Sequence, residues 1–282
     1  MRILITGATG YLGSNLLEEL TSPENDISLI CLPGTASNID HKMFNVFYTD
    51  DAEFEGHIRG FAPEVIIHLA GVYDRSGQDL SNVIDGNLLF PLRILNIVSS
   101  IGIKKWINTN TALPTNLNAY TLSKHQFANW GKEYSKRFGF DFIDIRLEHF
   151  YGYQDGENKF ISFVLNKLIH NQTLELTKCV QKRDFIHVKD VCRGFKILLE
   201  AEIPGYTEID LGSGEEAALQ VIIEYLKELT NSKSEILYGA VPYRENEPMS
   251  SVADLTIMNS LGFTPMYDWR TGMKNLVEET LQ

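Results

Sequence analysis

Residues 6–13 read TGATGYLG and set Gly7, Gly10 and Gly13 between the apolar run RILIT (2–6) and LGSNLLEEL (12–20). In the latter, Leu12, Leu16, Leu17 and Leu20 fall on one helical stripe. The pattern is strand, glycine turn, helix. Glycine lets such a turn close, lets backbone approach a pyrophosphate and lets the helix pack near the strand, while the first helical N–H groups face the anion. Thr9, Tyr11 and Leu12 fill the same turn and join the three glycines as expected cofactor contacts.

Working outward, strands are predicted near 27–32 (ISLICL), 44–48 (FNVFY), 64–69 (EVIIHL), 104–109 (KKWINT) and 140–146 (FDFIDIR), with helical patterns at 86–100 and 120–137. Apolar runs alternating with helices of crossover length predict an α/β fold, a doubly wound parallel sheet. After residue 150 the rhythm shortens, so we expect a dinucleotide-binding domain over 1–150 and a smaller substrate-binding domain over 151–282. About 186–212 is expected to return to the first body.

Lys plus Arg number 25 against 37 Asp plus Glu, a net charge of -12 that argues against nucleic acid and anionic membrane as partners. The opening MRILITGATG lacks the pattern of a secretory signal, and no apolar stretch approaches the length of a span, so a soluble cytoplasmic protein is expected. Cys31, Cys179 and Cys192 have no metal-ligand spacing and read as reduced and structural; no metal site is expected.

At the end of the second strand an acid would bind the ribose of NAD and a basic residue would accept the phosphate of NADP. The sequence offers Leu32, Pro33 and Gly34, then Ser37. The missing acid favours NADP(H), with NAD(H) as the alternative. Asp50 and Asp51 end the third run, as acceptors for adenine or as solvated surface. Leu69, Ala70 and Gly71 close the fourth strand with residues small enough at 70 and 71 for a cofactor backbone to lie against the sheet edge, and Thr109 joins the cofactor set. His68 is read as a packed core histidine.

In AYTLSK, Tyr120 and Lys124 are four apart on a predicted helix and share a face. A phenol is a poor acid or base unless its anion is stabilised, and an ammonium beside it, with a nicotinamide cation, does this. Thr111, in WINTNTAL, can donate a hydrogen bond to the same oxygen. The three residues suit hydride transfer at a carbonyl or carbinol carbon.

Together these strings resemble the extended short-chain dehydrogenases/reductases, the NAD-dependent epimerase/dehydratase family of nucleotide-sugar enzymes with a Rossmann-type fold. The resemblance runs from TGATGYLG through YTLSK to RDFIHVKDV and YRENE. It implies Thr111, Tyr120 and Lys124 as catalytic residues, and Gly7, Gly10, Gly13 and Asn87 as part of the cofactor site. It further implies Arg183 and Arg244 on a substrate diphosphate and Glu247 on a ribose hydroxyl, although each arginine taken singly could be a surface ion-pair partner. The spacing from Thr111 to Tyr120 is shorter than is common in the family.

RLEHFYG (146–152), DGENKF (155–160), QKRDFIHV and RENEPMSSVAD resemble the subgroup of CDP-abequose and CDP-paratose synthases. His149 stands where the family usually has asparagine, and His149, Asn158 and Lys159 are candidate contacts to diphosphate or base. Ala112 and Leu113 replace the acids of the family's dehydratases, which argues against dehydration. Tyr73, with Asp74 and Arg75, is placed to shape the sugar pocket. The resemblance implies NADPH-dependent reduction of the C4 keto group of a CDP-linked deoxysugar, CDP-4-keto-3,6-dideoxyglucose, for surface polysaccharide. Its alternatives are a 4-epimerase with tightly held NAD and a non-catalytic dinucleotide sensor. A homodimer is expected from the same likeness, through the helices at 86–100 and 120–137.

Overall fold

The structure, a computed structural model, describes residues 1–74 and 79–282. Arg75 therefore lies outside the described residues. The chain divides into two units, Met1–Arg146 with Cys192–Ile209, and Leu147–Val191 with Asp210–Gln282.

The first unit opens with β1 (Arg2–Thr6), α1 (Tyr11–Leu20), β2 (Asp26–Cys31), β3 (Asn45–Tyr48), α2 (Phe54–Phe61) and β4 (Val65–His68). It continues through α3 (Leu80–Ile84), a π-helical turn (Asp85–Leu89), α4 (Phe90–Ile101), β5 (Lys105–Thr111), α5 (Ala119–Phe138) and β6 (Asp141–Leu147). In the second unit follow β7 (His149–Tyr151), α6 (Phe160–Ile169), β8 (Leu174–Leu176) and β9 (Lys182–His187), and then α7 (Val188–Glu200) and β10 (Tyr206–Leu211), most of which belong to the first. β11 (Glu216–Ala218), α8 (Leu219–Leu229), β12 (Ile236–Tyr238), α9 (Thr256–Ser260) and α10 (Trp269–Leu281) complete the chain.

The seven-stranded sheet has the order β10-β6-β5-β4-β1-β2-β3, and the pairs from β3 through β5 are parallel. The order reverses beside β1, the position where open α/β sheets bind ligands beyond their carboxyl ends. The fold is the expected α/β, Rossmann-like architecture. Ile3, Leu4, Ile5, Ile66 and Ile67 are fully buried, as strands covered on both faces require. Trp106, Phe127 and Phe142 pack beside them, with Trp106 and Phe142 stacked at 6.1 Å.

One described helical run, 80–101, is long and apolar enough by composition to cross a membrane. It is broken by the π turn, and its α4 residues Ile94, Leu95 and Val98 are fully buried in the core of the first unit. The run is therefore core helix in this fold. The sequence pattern gives one helix over 86–100 because π turns leave no periodicity signature.

In the second unit β9 pairs parallel with β7 and antiparallel with β11, while β8 pairs with β12. Its core joins Val164, Leu165 and Leu168 of α6 to Ile222, Ile223 and Leu226 of α8 and Met273 and Leu276 of α10.

Candidate active site

The glycine turn has the form of an anion cradle. Gly7 sits at φ +74°, and a Cβ there would lie 2.6 Å from the Ala70 nitrogen. A Cβ on Gly13 would lie 2.2 Å from the Gly7 carbonyl oxygen, so α1 can rest on the turn only with glycine at 13. Gly10 is the N-cap of α1, no side chain caps it, and no acid stands in the first turn. The first N–H groups of α1 are thereby left to an external anion. Thr9 and Gly10 are exposed, while Tyr11 is half-buried and Leu12 packs inward. The donor set fits the pyrophosphate of a dinucleotide.

Asp51 makes local contacts at the start of α2. Its carboxylate accepts the Glu53 N–H at 2.8 Å and meets His57 Nε2 at 3.2 Å, which holds its pKa below the usual range. It fixes the turn into α2. Asp50 beside it is exposed.

Asn87 is fully buried in the π turn. Its Oδ1 accepts the Val72 N–H at 2.7 Å, and its Nδ2 donates to the Val72 carbonyl at 2.8 Å and to Ser123 Oγ at 3.0 Å. It thus ties the segment after β4 to α5 and sets where Gly71 runs. A Cβ on Gly71 would lie 3.6 Å from Asn87 Oδ1 and 4.0 Å from both Lys124 Nζ and Tyr120 Cε2. The end of β4 and the Tyr120–Lys124 face therefore converge on one spot. Leu69 and Ala70 lead into it, with Ala70 N–H reaching Thr6 Oγ1 at 3.3 Å.

Local chemistry fixes the rotation of α5. Asn118 Oδ1 accepts the Thr121 N–H at 2.9 Å and Thr121 Oγ1 accepts the Asn118 N–H at 3.2 Å, a capping box two residues before Tyr120. Asp74 Oδ2 accepts the Ala119 N–H at 3.2 Å. Gly131 sets the depth of the helix, since a Cβ there would strike the Phe142 ring at 2.1 Å.

Lys124 is buried, and desolvation draws its pKa down to about 8 while the Asp144 carboxylate opposes that fall. Tyr120 is partly buried. Desolvation pushes its phenol up, and Tyr73, stacked on it and hydrogen-bonded to it, pushes it further. In the protein by itself the phenol is thus held neutral. Thr111, at the end of β5, accepts the Leu113 N–H at 3.2 Å through Oγ1, so its hydroxyl proton can point elsewhere. Among the described residues Thr109 Oγ1 is buried with no hydrogen-bond partner. His68 packs in the core as read, bonded to Thr6 Oγ1 at 2.7 Å through Nδ1.

The second unit carries the other expected contacts. Arg183 is 3% exposed on β9 and ion-pairs with Glu247, which also pairs with Arg244. Glu247 here bridges the two arginines. Asp184 holds the loops around them, accepting from Ser213 N–H and Oγ, Gly214 N–H and Ala253 N–H at 2.6–3.2 Å. His149 Nδ1 stands 3.5 Å from Glu148 Oε2, and Glu148 Oε1 accepts from Ser251 Oγ at 2.6 Å. Lys159 lies over the Phe150 ring at 5.6 Å and Asn158 is exposed. Asp144, Asn108, Asn110, Asp184 and Glu148 carry no motif that singles them out in sequence.

Residues 3–212 match the NAD dependent epimerase/dehydratase family. The chain is similar to a CDP-abequose synthase of Salmonella typhimurium, at 30% identity over 98% of this chain and 97% of that protein. It is also similar to a putative UDP-glucose 4-epimerase of Methanocaldococcus jannaschii, at 26% identity over the same shares. Among solved structures, the UDP-glucuronic acid 4-epimerase of Bacillus cereus, in complex with UDP-glucuronic acid and NAD, superposes with TM-score 0.87 at 20% identity, over 100% of both chains.

Two expectations are corrected by these findings. NADP(H) gives way to NAD, the cofactor bound in several solved structures of this fold. The physical reason is that a 2′-phosphate needs a cation, and β2 is followed by Leu32, Pro33 and Gly34; a missing acid is not a phosphate site. NADPH-dependent 4-keto reduction gives way with it, since the solved structures of this fold include several 4-epimerases, three of them in complex with NAD.

Proposed function

Since the chain belongs to the NAD-dependent epimerase/dehydratase family, we propose that it is a nucleotide-sugar 4-epimerase that retains one NAD through each turnover. The observation that carries this reading is the convergence of Tyr120, Lys124 and Asn87 on Gly71 at the end of β4. Bound NAD supplies the hydride acceptor, and then the donor, for C4 of the sugar.

The chain's residues do the rest. Tyr120 takes the proton of the 4-hydroxyl as the C4–H bond breaks and returns it to the oxygen of the opposite epimer. Lys124 keeps the phenolate stable, and Thr111 donates a hydrogen bond to the oxygen in its keto form. Tyr120, whose phenol burial raises, would need the positive charge of Lys124 together with that of a bound nicotinamide to ionise. Arg183 and Arg244 hold the diphosphate, and planar guanidinium suits bridging phosphate oxygens. Glu247 is then freed toward a ribose hydroxyl, and Tyr73 walls the sugar.

We assign the nucleotide as CDP, supported by the likeness to the Salmonella synthase, the site as cytoplasmic and the assembly as a homodimer. Leu89, Leu122 and Trp130 are exposed on the two helical segments involved, which supports the dimer.

The test is to purify the protein without added cofactor, release and identify any dinucleotide, and incubate it with CDP- and UDP-hexoses. Proton NMR should show a mixture of C4 epimers with no added NAD and no deuterium taken from D2O at C4. Stoichiometric consumption of added NADPH or NADH, with no epimer formed, would sink the reading.

A further inference from the structure

We infer that Asp144 is a positioning residue for the reaction centre, its buried carboxylate orienting Asn110, and through it the backbone of Thr111, while serving as counter-charge to Lys124. The inference rests on the reading of Thr111, Tyr120 and Lys124 given above.

Asp144 lies on β6 and is 1% exposed. Its Oδ1 accepts from Asn108 Nδ2 at 2.7 Å and its Oδ2 from Asn110 Nδ2 at 2.8 Å. Residues 108 and 110 share a face of β5 because strand side chains alternate. A carboxylate offers only acceptors, so Asn110 must turn its NH2 toward Asp144 and its carbonyl oxygen away. That oxygen accepts the Thr111 N–H at 2.8 Å. One charged group thereby fixes an amide orientation, and the amide fixes the backbone at the residue that faces the sugar oxygen.

The same carboxylate acts on Lys124. Burial favours the neutral amine, and the negative charge of Asp144 opposes this. Burial also raises Asp144, while the two asparagines and Lys124 lower it, and Glu208 of β10 raises it. Among the described residues, His68 on β4 meets the charge of Lys124, Tyr206 on β10 meets that of Asp144, and Tyr120 on α5 shares the Gly71 contact with Lys124. His68 is held neutral by burial and by the lysine, so it adds no competing cation. A carboxylate in this position is costly compared with an apolar strand residue. An apolar residue could neither orient Asn110 nor keep a buried ammonium charged.

The experiment uses Asp144→Asn and Asn110→Ala in the full chain. Asp144→Asn sets one amide NH2 against another and removes the charge. kcat should fall about 10- to 100-fold with KM little changed, since misplacement of a reacting partner by about 1 Å costs of that order. The alkaline limb of the kcat profile should move to lower pH. In 13C-lysine NMR, with Lys124→Met for assignment, the Lys124 titration should move the same way.

Asn110→Ala cuts the link to Thr111 and leaves the charge, so kcat should fall with the alkaline limb in place. Folded Asp144→Asn with an unchanged Lys124 titration and unchanged kcat overturns the inference. If that variant does not fold, Asn110→Ala decides, and wild-type kcat there overturns it. The NMR titration needs no substrate, so it tests the network even if the wild-type protein interconverts no epimers and the functional reading fails.

Discussion

The phenol ring of Tyr73 lies stacked on that of Tyr120, with centroids 4.8 Å apart and planes at 24°. Burial is the main cause that keeps the Tyr120 phenol neutral, and the hydrogen bond with Tyr73 adds to it. Tyr73→Phe should therefore lower the pKa of Tyr120 and carry the acid limb of the pH–rate profile to lower pH. An acid limb that stays in place, in a variant that still retains NAD, would remove Tyr73 from the control of the phenol.

Tyr120→Phe should cost about 10²–10⁴-fold in kcat, the usual worth of a positioned proton-transfer group, with dinucleotide retention unchanged. Release and quantitation of bound NAD separates this from a binding defect. Equal loss of NAD and activity would count against proton transfer.

Gly13→Ala should abolish retention of the dinucleotide and destabilise the first unit by about 1–3 kcal/mol, because the new methyl would meet the Gly7 carbonyl oxygen at 2.2 Å. Differential scanning calorimetry with and without added NAD reads both effects. Retained NAD with a normal melting temperature would contradict the cradle.

Arg183 and Arg244 share Glu247 but differ in depth, with Arg183 buried and Arg244 side chain 47% exposed. Arg183→Met breaks a buried pair and should cost about 3–5 kcal/mol of stability. Arg244→Met should cost only about 0–1 kcal/mol. If both arginines hold the diphosphate, both variants should raise KM for the nucleotide sugar, and urea titration beside steady-state kinetics distinguishes the two quantities. Equal stability losses would refute the difference in depth.

His68 is buried and its pKa lies well below 6.5. The unfolded chain then binds a proton near pH 6.5 that the folded protein refuses, so this histidine's contribution to stability is lost as pH falls below 6.5. Wild-type stability should decline from pH 7 to pH 5, and His68→Phe should show a shallower decline in urea midpoint. Parallel pH dependences would assign acid sensitivity elsewhere, for example to His187, which burial also lowers.

Local periodicity carried much of this protein's reading. The expected strand at 104–109 is β5 at Lys105–Thr111, and the helix at 120–137 is α5 at Ala119–Phe138, because apolar spacing and capping act within a few residues. α2 escaped because only Phe54 and Ile58 of its eight residues are buried, too few to write a stripe. The short strands β7, β8, β11 and β12 have three residues each and leave no pattern.

By itself the sequence determined the parallel sheet, the glycine turn and the shared face of Tyr120 and Lys124, since each depends on neighbours along the chain. Only the tertiary structure decided what surrounds them. Asp144 meets Asn108 and Asn110 across 36 and 34 residues, and Glu247 meets Arg183 across 64. Tyr73 settles on Tyr120 by packing, and Asp51 turns to its own helix. Such pairings depend on strand order and burial, which set the charge of a lysine or a phenol and which no local spacing encodes.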